Sequence, residues 1–176
     1  MTERRAWLAQ SISDLDMIAR TLDPLDASTY CHAIAKCQQA VEKAVKALVA
    51  GLRDARIVAI EIGYRHDVAR FLPILVRMPH ATEHGPLQRL IHRFLDPNTR
   101  RDIAALDRLA PRRPPPFTLP ARNTEYPYQE AIGPAWKSPS SPDAFTIAEV
   151  NRYRALAHRL VIECQKLVFF IEHGFL

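Results

Sequence analysis

Residues 33–49 read Ala33-Ile34-Ala35-Lys36-Cys37-Gln38-Gln39-Ala40-Val41-Glu42-Lys43-Ala44-Val45-Lys46-Ala47-Leu48-Val49, and this stretch decides the fold. Ile34, Cys37, Val41, Ala44 or Val45, Leu48 and Leu52 recur at steps of three and four, which winds them into one apolar stripe on a helix. Beside it stands a second stripe: Gln38, Glu42 and Lys46 at steps of four, flanked by Gln39 and Lys43. Glu42 precedes Lys46, the favourable order for a pair four apart on a helix.

Working outward from this second helix, expected over roughly 29–53, the chain keeps helical spacing. Leu8, Ile12, Leu15, Ala19 and Leu22 alternate at four and three, a seam for packing on another helix over 3–22. Pro24 ends that helix, and Asp26-Ala27-Ser28 offers caps for the next. Ile57, Val58, Ile60 and Ile62 resemble a short strand, but a strand has no partner here. A helical extension or a packed loop is the better expectation. Asp67 suits the N-cap of a third helix that turns Val68, Phe71, Leu72 and Leu75 inward, with Pro73 kinking it or delaying its start. Pro86 opens a fourth helix with Leu87, Leu90, Ile91 and Phe94 on one side. Asn98 or Thr99 can cap a short fifth carrying Ile103, Leu106 and Leu109.

Nine of the fourteen prolines then fall between Pro111 and Pro142, which predicts an extended, non-helical surface connection over 111–142. Thr146 and Glu149 form a capping-box pattern. Val150, Tyr153, Ala157, Leu160, Cys164, Leu167 and Ile171 come next at three and four until Gly174 stops the helix. Helices whose stripes cannot be buried alone must pack together. The expectation is one all-α domain over 1–176, an up-and-down bundle of four to six helices, with long ones near 3–22, 28–53 and 146–173.

Length and composition agree with that reading. A chain of 176 residues with 48% apolar content can bury a real core. No run approaches the length of uncharged apolar sequence that a membrane span needs. The N-terminus is basic, but Asp14 and Asp16 break the apolar run that a signal peptide would need, so none is read there. Both aspartates are expected to be solvated. Cys31, Cys37 and Cys164 are odd in number, lack a CxxC pair, and fall on helix faces as small hydrophobes. A cytoplasmic, reducing compartment is expected.

The net charge of +5 has an address. Residues 84–122 hold eight Arg (89, 93, 100, 101, 108, 112, 113 and 122) against Asp96, Asp102 and Asp107, a local net of +5, so the rest is neutral. Arginine forks suit phosphate and carboxylate. The segment reads either as a phosphate-binding face or as a solvated surface. Other chemistry is poorly provided for. GxGxxG, GxxxxGK[ST] and GxSxG are absent, as is HExxH. His80, His84 and His92 have tempting spacing, but Pro79 and Pro86 interrupt the helix that would present the first two. No metal site and no cofactor are expected.

Three patches together resemble the HEPN domains, the helical domains named for higher eukaryotes, prokaryotes and nucleotide binding. They are the Gln38–Gln39, Glu42, Lys43 and Lys46 pattern, Arg65-His66-Asp67-Val68, and Ala121-Arg122-Asn123-Thr124-Glu125-Tyr126-Pro127-Tyr128. The resemblance implies a helical bundle, usually dimeric, that binds nucleotide or RNA phosphate. It also implies work beside a minimal nucleotidyltransferase, as in toxin–antitoxin pairs. On it the ligand-binding set is Arg122, Asn123, Tyr126, Tyr128, Glu42, Lys46, Arg112 and Arg113. Ribonuclease members place a histidine four to six positions after the arginine, where this chain has Tyr126, Pro127 and Tyr128. A phenol with an ordinary pKa near ~10 exchanges protons poorly at neutral pH. Catalysis as a metal-independent ribonuclease is therefore the alternative reading, with Arg122 and Asn123 on the phosphate and His66 or a histidine from 80–92 as acid–base group. Arg122 is otherwise expected to pair with Glu125 or Glu42. Family members carry an AMP-modifiable tyrosine two positions after the motif histidine, which here would be Tyr128; alternatively both tyrosine rings pack the loop onto the bundle.

Overall fold

A computed structural model describes residues 1–62, 68, 71–76, 85–110, 121–129 and 135–174. His66, Asp67, His80, His84, Arg112 and Arg113 lie outside the described residues. The architecture is helical: α1 (Glu3–Thr21), α2 (Tyr30–Asp54), α3 (Leu72–Val76), α4 (Gly85–Phe94), α5 (Pro97–Arg108) and α6 (Ile147–Glu172). A small antiparallel hairpin, β1 (Tyr128–Gln129) and β2 (Trp136–Lys137), pairs Tyr128 with Lys137 and Gln129 with Trp136. No described helix is long and apolar enough to cross a membrane.

Helix α2 is the hub. It packs most extensively on α1 and α6 and is buried almost all round from Ala33 to Leu52. The expected stripe of Ile34, Cys37, Val41, Ala44, Val45, Leu48 and Leu52 lies in the core. Its end is a Schellman turn: Ile57 N–H donates to Leu52 O and Arg56 N–H to Arg53 O, each at 2.9 Å, with Arg56 at φ 60°. Ile57 then tucks into the core, so residues 57–62 form a packed loop and no strand. α3 starts at Leu72 with Pro73 in its first turn, where the missing N–H costs nothing. The cap of α5 differs from expectation. Pro97 occupies the first helical position, and the Asp96 carboxylate takes the N–H groups of Asn98 and Thr99 at 2.9 and 3.2 Å. α6 begins with the expected capping box, and its chain turns off at Gly174, φ 66°.

α1 departs most from its sequence pattern. The expected seam is only partly covered: Leu8, Ile12, Leu15 and Leu22 are half-buried and Ala19 is exposed. The fully buried residues are Ser11, Asp14 and Ile18. Asp14, expected to be solvated, is 2% exposed and pairs with both Lys36 and Lys43. Ser11 Oγ donates to Ala40 O at 2.7 Å. Glu42 and Lys46 join at 2.6 Å, nearly inaccessible to water, with Lys46 Nζ 4.8 Å from the centre of the Trp7 ring. Charges this deep must be paired. The polar face of α1 supplies Asp14 to two of the α2 lysines, which is why that face turns inward.

All three cysteines are free and buried. Burial pushes the Cys37 thiol up to about 12 and raises Cys164 as well.

Candidate functional site

The segment 121–129 is built around two side chains that hold it in place. Arg122 lies on the first turn of α6. Its Nη1 and Nη2 donate to the two oxygens of Glu149 at 3.0 and 2.9 Å, its Nε donates to Ala144 O at 2.8 Å, and its guanidinium stacks 4.2 Å from the Phe145 ring centre. Burial pushes the Glu149 carboxyl up, but Arg122 and the capped Thr146 hold it below its ordinary value. The arginine's carboxylate partner is thus Glu149, in place of the expected Glu125 or Glu42. The reason is local: Glu149 is held facing the loop by its own bonds to Thr146 N and Oγ1 at 2.9 and 3.1 Å. Asn123 is 5% exposed and engaged in its own turn. Its Nδ2 donates to Ala121 O, and its Oδ1 accepts from Glu125 N and Tyr126 N at 3.0 and 2.7 Å. Thr124 N–H reaches Leu109 O at 3.2 Å, tying the loop to the end of α5.

The two tyrosines part company. Tyr128 is 1% exposed, whereas Tyr126 is 58% exposed. Of the expected surface for 111–142, the described part is mixed, since Asn123, Thr124, Tyr128 and Pro139 are buried. Glu42 and Lys46 lie in the interior and do not join Arg122 and Tyr126 at a surface. A groove of about 450 Å³ runs between α2 and this loop, with His32, Lys36 and Gln39 on one wall and Glu125, Ser138 and Ser140 on the other. No sequence spacing announces His32, because only the fold brings it beside Glu125. His92, the remaining member of the histidine trio, has Nε2 2.8 Å from Val76 O. Among the described residues no cluster of His, Cys, Asp or Glu is arranged to hold a metal ion.

A second groove, about 390 Å³, opens between α4 and the far half of α6. Arg93, Arg159 and Lys166 ring it, Phe94, Leu167 and Phe170 give it an apolar and aromatic lining, Glu163 is the carboxylate among its described lining residues, and Asp96 lies 4.0 Å from Arg159 Nη1. Arg159 Nη2 donates to Thr99 Oγ1 at 2.8 Å, and Lys166 meets Glu163 at 2.7 Å. Arg93 makes no ion pair among the described residues, and Phe170 is 38% exposed. Arg93 comes from the basic segment found in sequence, but Arg159 and Lys166 do not. Their signal is the seven-residue spacing of Arg152, Arg159 and Lys166, which puts three cations on one side of a helix about 10 Å apart. Such a groove attracts an anion with a flat or apolar body.

Comparison with family models, curated proteins and solved structures finds no match to this chain. What the fold and its surfaces define is a helical bundle with an immobilised arginine motif and a separate cationic groove.

Proposed function

We propose that this chain is a HEPN-type binding module for nucleotide or RNA phosphate, acting without cleaving its ligand. The observation that carries the reading is the α4–α6 groove, where Arg93, Arg159 and Lys166 surround an aromatic lining, with exposed Arg159 facing Asp96 at 4.0 Å and exposed Lys166 facing Glu163 at 2.7 Å. The phosphate contact is assigned to Arg93, Arg159 and Lys166 in place of Arg122, whose donors Glu149 and Ala144 already occupy. The ribonuclease alternative gains little from this geometry, since the Asn123 carbonyl oxygen and one of its amide hydrogens are engaged in its own turn.

The test is titration with ATP and with a labelled single-stranded RNA over a range of salt. Three phosphate contacts predict a slope of log affinity against log salt of about −2 for the RNA. Arg93→Ala and Lys166→Ala should each weaken binding and flatten the slope by about 1. Affinity that is absent at low salt or indifferent to salt would count against the groove. RNA incubated with the protein in EDTA should stay intact; cleavage lost in Arg122→Ala would restore the ribonuclease reading.

The same resemblance places the module beside a nucleotidyltransferase in a toxin–antitoxin-like pair, and a small nucleotidyltransferase in the neighbouring reading frame would support it. Should such a partner transfer AMP, the accessible acceptor is Tyr126, because Tyr128 is closed to solvent. An intact-mass shift of one AMP that disappears in Tyr126→Phe is the expected outcome.

A further inference from the structure

α5 takes hold of one cation of the α4–α6 groove from outside it. Thr99, in the first turn of α5, is 1% exposed and does not line the groove, yet its Oγ1 accepts from Arg159 Nη2 at 2.8 Å. The same hydroxyl donates its hydrogen to Asp96 Oδ2, while Asp96 Oδ1 takes the N–H groups of Asn98 and Thr99. With its hydrogen committed to the carboxylate, the hydroxyl has only lone pairs to offer. A guanidinium, which only donates, is the matching partner. The direction of the chain is therefore fixed, from Arg159 to Thr99 to Asp96.

We propose that Thr99 is a positioning residue for this groove: its buried hydroxyl sets the Arg159 fork for a phosphate oxygen without itself touching the ligand. The inference rests on the phosphate reading above and adds how that site is held ready. The Arg159 side chain is 52% exposed. An arginine so placed sweeps many rotamers in water, and ordering it when a ligand arrives would weaken binding. The bond to Thr99 removes much of that freedom beforehand. It engages one Nη hydrogen, and among the described residues no other hydrogen bond uses this guanidinium, so Nε–H and the outer Nη hydrogens stay available. The anchor is itself stiff, because Thr99 is buried, β-branched and tied to the α5 cap through both its N–H and its hydroxyl.

The full chain and its variants are titrated with ATP and with labelled single-stranded RNA over a range of salt. Thr99→Val keeps the shape of the side chain and every charge. It should weaken binding about three- to tenfold and leave the salt slope for RNA unchanged, because Arg159 is still present. Arg159→Ala should instead flatten that slope by about 1. Thr99→Ser retains the hydroxyl and should recover the native affinity. In the Arg159→Ala background, Thr99→Val should change nothing further, which separates orientation of the arginine from general loosening of α5. Circular dichroism of each variant should match the native helix content, because the Asp96 cap on the Asn98 and Thr99 amides survives. In the unliganded chain, NMR relaxation should find the Arg159 Nε–H ordered, and mobile in Thr99→Val. A native chain that binds neither probe overturns the phosphate reading and this role with it. Native binding that Thr99→Val leaves unchanged overturns the positioning role alone. So does a Thr99→Val loss that Thr99→Ser shares, or one that persists in full without Arg159.

Discussion

The two long helices that flank α2 are held by opposite chemistry. α6 buries Val150, Tyr153, Leu156, Ala157, Leu160, Val161, Cys164, Leu167 and Val168, a face without a charged group. α1 buries only Ser11, Asp14 and Ile18, and its position depends on Asp14 meeting Lys36 and Lys43. Apolar contact is strong but non-directional, so it binds α6 tightly while leaving its rotation and register to shape. Ion pairs and hydrogen bonds in a dry interface are directional, and a slip of one residue would strand a charge. α6 thus meets the core through an apolar face alone, while α1 adds directional pairs to the apolar contact of Ile12, Leu15, Ile18 and Leu22.

The contrast is sharpest at the buried pair. Lys46→Ala strips Glu42 of its ammonium partner and should cost about 3–5 kcal/mol, measured by urea unfolding. Replacing Glu42 with Leu and Lys46 with Met together should recover most of that loss, because exchanging both partners of a buried pair for apolar groups costs less than removing one. If the double change is as damaging as the single one, the polar seam is itself the source of stability. On the other flank, Leu160→Ala should cost about 2–5 kcal/mol, and this loss should be the same at low and high salt. A marked salt dependence there would erase the distinction between the two flanks.

Smaller effects test how the loop joins the α6 side. Thr146→Ala removes a cap worth about 1 kcal/mol and releases Glu149, so the Thr124 and Tyr126 amides should exchange faster than in the native chain. The smallest effect is at the outer end of α1. Hydrogen bonds from Arg5 and Arg4 hold Glu172 at about 2. A depressed carboxyl stabilises the fold fully above its unfolded value near ~4.3 and loses that contribution as pH falls toward its folded value. Trp7 emission in a Trp136→Phe background should therefore show α1 loosening between those limits, and Glu172→Gln should abolish the change.

Much of the bundle can be read from spacing alone. The apolar positions of α2, α5 and α6 stand where the three-and-four periodicity puts them, because a buried stripe and its pattern are the same fact. Thr146 and Glu149 are legible for a similar reason: a capping box is a local event with a local signature. α1 misleads because periodicity counts apolar residues and ignores what a polar stripe on a neighbour demands. Gln38, Glu42 and Lys46 read as a polar stripe with two candidate ligand-binding residues, and its spacing does not show that α1 covers it. The candidate site is less legible still. Arg122 stands in the right motif, but its partner is decided by Glu149, twenty-seven residues on. The α4–α6 groove joins Arg93 to Arg159 and Lys166 only after the helices have packed.

Cys37 and Cys164 give this architecture a clock of its own. A thiol reacts as the thiolate, and at pH 7 a group held near 12 exposes only about one part in 10⁵ of that form. Both sulfurs are also closed off from any reagent, one on α2 and one on α6. Alkylation at neutral pH therefore waits for the helices to separate, and its rate counts the openings. The two native thiols can thus time the opening of the bundle, provided modification of Cys31, which lines the groove beside α2, is counted separately.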